Sequence, residues 1–221
     1  MMLPVLGGFQ NLSLVDYPGQ ACAVLFLQGC NLRCTFCHNP QLIPLRGCTA
    51  VPSWDIIWRQ LLQRQAVVKA VCITGGEPCV HATLPNLLQS LKNAGFKVKL
   101  DTNGTNPALL EQILADNLVD YVAMDVKGPL DDDLSAILGK NGTENAMKKS
   151  LKLLATSRIP HEFRTTWYGE LSASNLLRIQ AQIPTTSPWY VQRCNAVGDF
   201  PANLQPRPDY LGHPQLHWRG F

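Results

Sequence analysis

Short β-rich apolar runs alternate with helical patterns along most of this 221-residue chain, and that alternation leaves few folds open. The strand candidates are Cys22–Leu27, Lys69–Thr74, Lys97–Asp101, Val119–Val126, His161–Trp167 and Trp189–Arg193. They are rich in Val, Ile, Phe and Tyr, with Gly, Asn or Pro close by. Between them the spacing predicts helices over Trp54–Gln65, Leu84–Asn93, Pro107–Asp116, Thr143–Thr156 and Ser174–Ile183. Ser53 can cap the first helix, and Pro107 suits a first helical turn. Apolar residues at 54, 57, 58, 61 and 62 keep the helical spacing of one buried face. Strands alternating with helices imply a parallel sheet wrapped by helices. Right-handed crossovers curl such a sheet toward a partial, TIM-like (βα)6 barrel. The expected organisation is one domain over 1–221, with a core of about 20–195 and an irregular tail at 198–221, rich in Pro and Gly.

Polar or glycine-rich motifs follow four of these strands at their C-terminal ends, where folds of this kind place an active site. The cysteine cluster follows the first strand and Gly75-Gly76-Glu77-Pro78 the second. Asp101-Thr102-Asn103-Gly104 ends the third, and Asp125-Val126-Lys127-Gly128 ends the fourth.

Composition narrows the function. Charged residues are 16% of the chain, below the roughly 25% of ordinary soluble domains. A net charge of +3 gives no basic footprint for nucleic acid. No early apolar run is long enough to span a bilayer, and no cationic n-region precedes Arg33, so the expectation is a cytoplasmic protein. In that reducing compartment eight cysteines do not read as a disulfide framework. Three of them, Cys30, Cys34 and Cys37, fall on one loop, which points to metal.

Spacings of x3 and x2 let three thiolates wrap a single cubane. Iron–sulfur clusters normally take four thiolates, so a set of three leaves one iron open, much as a catalytic zinc keeps an open position. A zinc site completed by His38, or three plain thiols, are the alternatives. The stretch is polar and glycine-flanked, a poor core segment, which disfavours plain thiols.

The triad, with the aromatic Phe36 just before its third cysteine, resembles the signature of the radical S-adenosylmethionine (SAM) superfamily. The resemblance runs from the first strand to about Trp167. Ser13-Leu14-Val15-Asp16-Tyr17-Pro18-Gly19, Phe26-Leu27-Gln28-Gly29-Cys30 and Cys37-His38-Asn39-Pro40 are similar to the activating enzymes of glycyl radical enzymes. Within that group the likeness is to activating proteins of anaerobic ribonucleoside-triphosphate reductase. It implies a [4Fe–4S] cluster on Cys30, Cys34 and Cys37, whose open iron chelates SAM. It also implies a 5'-deoxyadenosyl radical that takes hydrogen from a glycine of the partner, and a flavodoxin- or ferredoxin-type electron donor.

The same resemblance assigns Gly75, Gly76 and Glu77 to the methionine amino group of SAM. It places Asp101, Thr102, Asp125 and Lys127 around its methionine end, with sodium or potassium on Asp101, Thr102 and Asp125. Phe36, Asn103 and Arg164 complete the candidate cofactor-binding residues; Arg164 reaches either SAM or a neighbouring acid. Turn chemistry at Asn103-Gly104 and a half-buried strand arginine at 164 are the plain alternatives. The glycine pair lets backbone approach a ligand closely. The charge argument for the cation is that Lys127 alone faces two aspartates and the SAM carboxylate. Gln192 and Asn195 are weaker candidates for the ribose. Cys22 and Cys72 read as packing, Cys79 as a filler near the site, Cys194 as a core thiol, and Cys48 as an isolated loop cysteine. Two rival readings remain: a radical SAM enzyme acting on a small molecule, like 7-carboxy-7-deazaguanine synthase, and a non-catalytic iron–sulfur electron-transfer module.

Overall fold

A computed structural model describes residues 2–45, 51–131, 134–196 and 202–220. Cys48 lies outside them. The strands are β1 (Leu6–Ser13), β2 (Cys22–Leu27), β3 (Ala70–Gly75), β4 (Lys97–Thr102), β5 (Tyr121–Asp125), β6 (His161–Trp167), β7 (Trp189–Arg193) and β8 (Leu216–Arg219). The α-helices are α1 (Trp54–Arg64), α2 (Leu84–Asn93), α3 (Pro107–Ala115), α4 (Leu134–Leu138), α5 (Glu144–Thr156) and α6 (Ala173–Gln182). Strand order follows chain order, β1 to β8. No helix among the described residues is long and apolar enough to cross a membrane.

Two compact units share the chain. The first takes residues 1–31, 39–102 and 108–122, the second 32–38, 103–107 and 123–221.

In the first unit, β2 pairs in parallel with β3, Val24 opposite Cys72, and β3 with β4, Cys72 opposite Lys99. Strand β2 is an almost unbroken buried run, the mark of a strand covered on both faces. Strand β1 was not expected. It pairs antiparallel to β2, Phe9 opposite Leu25. Its polar Gln10 and Asn11 are exposed and its glycines interrupt the apolar pattern, so it carries no period-2 signal. Tyr17 packs with Cys22, Val24, Ala70 and Cys72 and lies 5.9 Å from the Tyr121 ring. Ser53 occupies the N-cap of α1 but makes no side-chain cap; its carbonyl accepts from Ile57 N at 3.1 Å. The expected apolar face of α1 is half right. Ile57 and Leu61 are buried, whereas Trp54, Trp58 and Leu62 line a surface cavity with Leu3.

In the second unit, β6 pairs in parallel with β7, Phe163 opposite Trp189, and β7 with β8, Trp189 opposite Leu216. Strand β8 corrects the expectation of an irregular tail. Arg219 reaches Glu162 with both guanidinium nitrogens, at 3.1 and 2.9 Å, and lies 3.8 Å over the Tyr190 ring. Glu162 is 1% exposed, so that pairing anchors the strand. Trp218 lies under Arg207, at 4.8 Å. Helix α6 starts at a true cap, with Ser172 Oγ accepting from Asn175 N at 3.1 Å.

Candidate functional site

In the first unit the cluster loop begins where β2 ends, and its backbone is fixed on two sides. The segment from Pro40 to Pro44 returns along it. Gly29 N donates to Leu42 O at 2.7 Å and Cys30 N to Ile43 O at 3.0 Å. The buried Gln28 amide adds bonds to Gln41 O at 3.1 Å and Pro44 O at 2.6 Å. On the other side, Gly76 N donates to Leu27 O at 2.9 Å and Glu77 N to Gly29 O at 2.8 Å.

This second contact explains the glycine pair. A Cβ on Gly76 would sit 2.1 Å from Gly29 O, and one on Gly75, whose φ is +121°, 2.4 Å from Leu27 N and O. The close approach at Gly76 is made by Gly29 of the cluster loop, and that at Gly75 by the end of β2. Glu77 is buried, and its Oε1 accepts from Cys79 N at 2.9 Å and Thr102 Oγ1 at 2.7 Å. That carboxylate secures the polar loop. Cys79 is 1% exposed, and burial, then the Glu77 charge, push its thiol well above the usual range. It packs as a filler.

Asp101, at the end of β4, forms an ion pair with Lys99, which is 2% exposed. The Lys99 ammonium also lies 3.8 Å from Cys72 Sγ. Sequence reading missed Lys99. The available signal is its period-2 relation to Asp101, which puts both on one strand face.

In the second unit the loop continues from Leu32 to His38. Arg33 N donates to Leu138 O at 2.8 Å, and Cys37 N closes a turn on Cys34 O at 3.2 Å. Phe36 is buried, and its ring stacks on Tyr168, with centroids 4.2 Å apart and planes 19° from parallel. The ring is thus covered, and what Phe36 can offer a cofactor is its backbone. Lys127 Nζ lies 5.9 Å from the Phe36 centroid. It donates to Asp125 Oδ2 at 3.0 Å, while Arg164 Nε donates to Asp125 Oδ1 at 2.9 Å. The acid that Arg164 reaches is therefore Asp125. Burial alone would raise the Asp125 carboxyl, but Arg164 and then Lys127 outweigh it and hold it well below the usual carboxylate range. Burial likewise opposes the charge on Lys127, but Asp125 and Cys34 hold its ammonium above the ordinary lysine range. Burial raises the Cys34 thiol, with Lys127 opposing.

Asn103 orders the turn after β4. Its Oδ1 accepts from Thr105 N at 3.0 Å and Thr105 Oγ1 at 2.7 Å, an Asx turn. Gln192 donates to Thr166 Oγ1 at 3.0 Å. Each candidate aspartate thus has its own cations: Lys99 for Asp101, and Lys127 with Arg164 for Asp125. The charge deficit that argued for a monovalent ion is met within the chain.

Three thiols stand apart from the rest by exposure. All seven described cysteines are free, but Cys22, Cys72, Cys79 and Cys194 are buried, while Cys30, Cys34 and Cys37 are partly exposed. Among the described residues no three His, Cys, Asp or Glu side chains are gathered to hold a single metal ion. A cluster with one thiolate per iron spaces its ligands more widely than a single ion does.

A protein of Methanocaldococcus jannaschii named as a glycyl-radical enzyme activating enzyme is 36% identical over 156 residues, which are 69% of this chain and 62% of that relative. The match therefore takes in under two thirds of the relative's length. The 7-carboxy-7-deazaguanine synthase of Aquifex aeolicus is 39% identical over 79 residues, 36% of this chain and 34% of the synthase. Among solved structures, Streptococcus suis SuiB bound to S-adenosylmethionine aligns with a TM-score of 0.59 at 19% identity. That alignment covers 78% of this chain and 40% of SuiB, and it speaks for the fold alone. The α/β fold with its mostly parallel sheet, of the partial-barrel class expected from sequence, is the one these neighbours share. The family model described as the radical SAM superfamily matches residues 24–170, from β2 through the Phe36–Tyr168 stack, and this chain belongs to that superfamily, whose cofactors are a [4Fe–4S] cluster and SAM.

Proposed function

We propose that the chain is a radical SAM activating enzyme that installs a glycyl radical on a partner enzyme, and that the partner is anaerobic ribonucleoside-triphosphate reductase. One observation carries the reading: the likeness to a glycyl-radical activating enzyme extends over 69% of the chain, against 36% and 50% for two deazaguanine synthases. The Ser13–Gly19 and Cys37–Pro40 stretches support an activating enzyme over the small-molecule rival, and the choice of the reductase rests on the resemblance alone.

In this reading Cys30, Cys34 and Cys37 hold the cluster, and residues 1–221 act as one radical SAM domain. When bound, the cluster and SAM supply one-electron cleavage of the sulfonium and hydrogen-atom abstraction. The chain's own residues bind and orient. Gly75 and Gly76 present backbone to the SAM amino group, and Glu77 fixes their loop through Cys79 N and Thr102. Lys127 and Arg164 offer a point charge and a planar guanidinium to the SAM carboxylate, with Asp125 holding both cations in place. Phe36 offers its backbone, and Asn103 orders the turn after β4. A sodium or potassium ion on Asp101, Thr102 and Asp125 rests on the resemblance, since local ion pairs already balance both aspartates. Its test is SAM affinity across a series of monovalent ions, where indifference removes the ion. The electron donor in this reading is a flavodoxin or ferredoxin. The seven free thiols among the described residues support a reducing, cytoplasmic setting.

The experiment is anaerobic reconstitution with iron and sulfide, then SAM and reductant, with and without the candidate reductase. The expected products are 5'-deoxyadenosine and a glycine-centred radical signal. Turnover of a small metabolite, with no radical on any glycyl radical enzyme, would establish the small-molecule reading instead. No SAM cleavage at all would leave the electron-transfer module.

A further inference from the structure

We infer that Tyr168 is a positioning residue for the iron–sulfur loop, an inference that rests on the functional reading above. Phe36 lies between Cys34 and Cys37 and is 2% exposed. Its ring is the side-chain anchor of that stretch, and Tyr168 covers it in a parallel stack with centroids 4.2 Å apart.

Tyr168 is itself held from behind. Leu171 N donates to Tyr168 O at 3.0 Å, and the Trp167 indole donates to Leu171 O at 3.1 Å. Trp167 O in turn accepts from Cys194 N at 3.0 Å and Asn203 Nδ2 at 3.1 Å. A closed turn after β6 therefore presents a fixed aromatic face to the loop. Tyr168 is 3% exposed, so its ring is enclosed by packing as well as by the stack. Lys127 lies over Phe36 and joins the Asp125–Arg164 group, so the stack links the loop to the polar end of β5.

Loss of a cluster requires its thiolates to move apart. A stack that pins the residue between two of them resists that motion, and offset or parallel aromatic pairs hold more strongly than their buried area alone. Tyr168 acts through Phe36 and is not a ligand.

The test uses the reconstituted full-length chain and the variants Tyr168→Leu, Tyr168→Phe, Phe36→Leu and the double Phe36→Leu/Tyr168→Leu. The readouts are the rate of iron release to a chelator, the EPR line shape of the reduced cluster and the melting temperature of the cluster-free protein. Tyr168→Leu is expected to release iron roughly tenfold faster, with an altered line shape, as the aromatic pair is lost. Tyr168→Phe keeps the stacking face and is expected to match the parent in both. The double variant is expected to be no worse than either single one, because both remove the same contact. Phe36→Leu breaks the stack from the other side, so its release rate decides the matter if Tyr168→Leu does not fold. The inference is overturned if Tyr168→Leu and Phe36→Leu release iron at the parent rate with the parent spectrum, or if Tyr168→Phe behaves like Tyr168→Leu. A parent protein that binds no iron overturns the functional reading itself, and the inference falls with it.

Discussion

Replacing Gly76 by Ala isolates the contact on which the cluster loop is built. Gly76 needs no unusual φ, so the added methyl acts by sterics alone. It would stand 2.1 Å from Gly29 O, 2.6 Å from Gly29 C and 3.0 Å from Leu42 O, all backbone atoms that cannot swing aside. To restore ordinary contact, the backbone must open by about 1 Å, and overpacking of this kind costs about 1–3 kcal/mol. Gly29 O also accepts from Glu77 N at 2.8 Å, and losing that bond adds about 1 kcal/mol. For a chain of this size the sum lowers the melting temperature by about 5–15 °C. Because Gly29 precedes Cys30, iron bound per chain after reconstitution should fall as well. The assays are a thermal melt of the cluster-free protein and iron analysis of the reconstituted one. Gly212→Ala is the control. A Cβ there meets nothing within 4 Å, so its effect should stay within about 0.5 kcal/mol. A Gly76→Ala protein that melts and loads iron like the parent would refute the contact.

Three further outcomes are expected. Ala at Cys30, Cys34 or Cys37 should abolish SAM cleavage, while Ser at the buried Cys22, Cys72, Cys79 or Cys194 should leave iron content intact; full iron in Cys34→Ala sinks the assignment. Burial, then Asp120, raise the Tyr17 phenol to about 12, so its contribution is complete below the unfolded value near 10 and is lost as pH rises toward 12. Tyr17→Phe should therefore flatten the fall in melting temperature over that interval, and an unchanged slope contradicts it. Arg219→Ala removes both Arg219 hydrogen bonds to the buried Glu162 and should cost about 1–3 kcal/mol in denaturant unfolding; a loss below about 0.5 kcal/mol speaks against the anchor.

Strands β2 to β7 were legible because burial on both faces demands apolar runs, as in Cys22–Leu27. The outer strands were not. Strand β1 mixes glycines with exposed polar residues, and β8 is four residues long and held by an ion pair formed far along the sequence. The same limit governs the candidate site. Motifs at strand ends announce themselves through residue type and position, as Glu77, Asp125 and Lys127 do. Lys99 does not, because a lysine in a strand ordinarily faces solvent, and only the fold shows it buried against Asp101. Tyr168 follows its strand with no pattern of its own; its meaning lies in Phe36, 132 positions earlier. Glycines 75 and 76 were conspicuous, but the partner they admit is visible only in three dimensions.

The ion pair of Glu162 with Arg219 has a kinetic side. Its members are 57 residues apart, so on a chain emerging from its N-terminus β6 is complete long before Arg219 arrives. Until then β7 presents an open edge to other chains. Closure of the second unit is thereby deferred to the arrival of β8, and a nascent chain stalled before residue 219 is the species most exposed to misassembly.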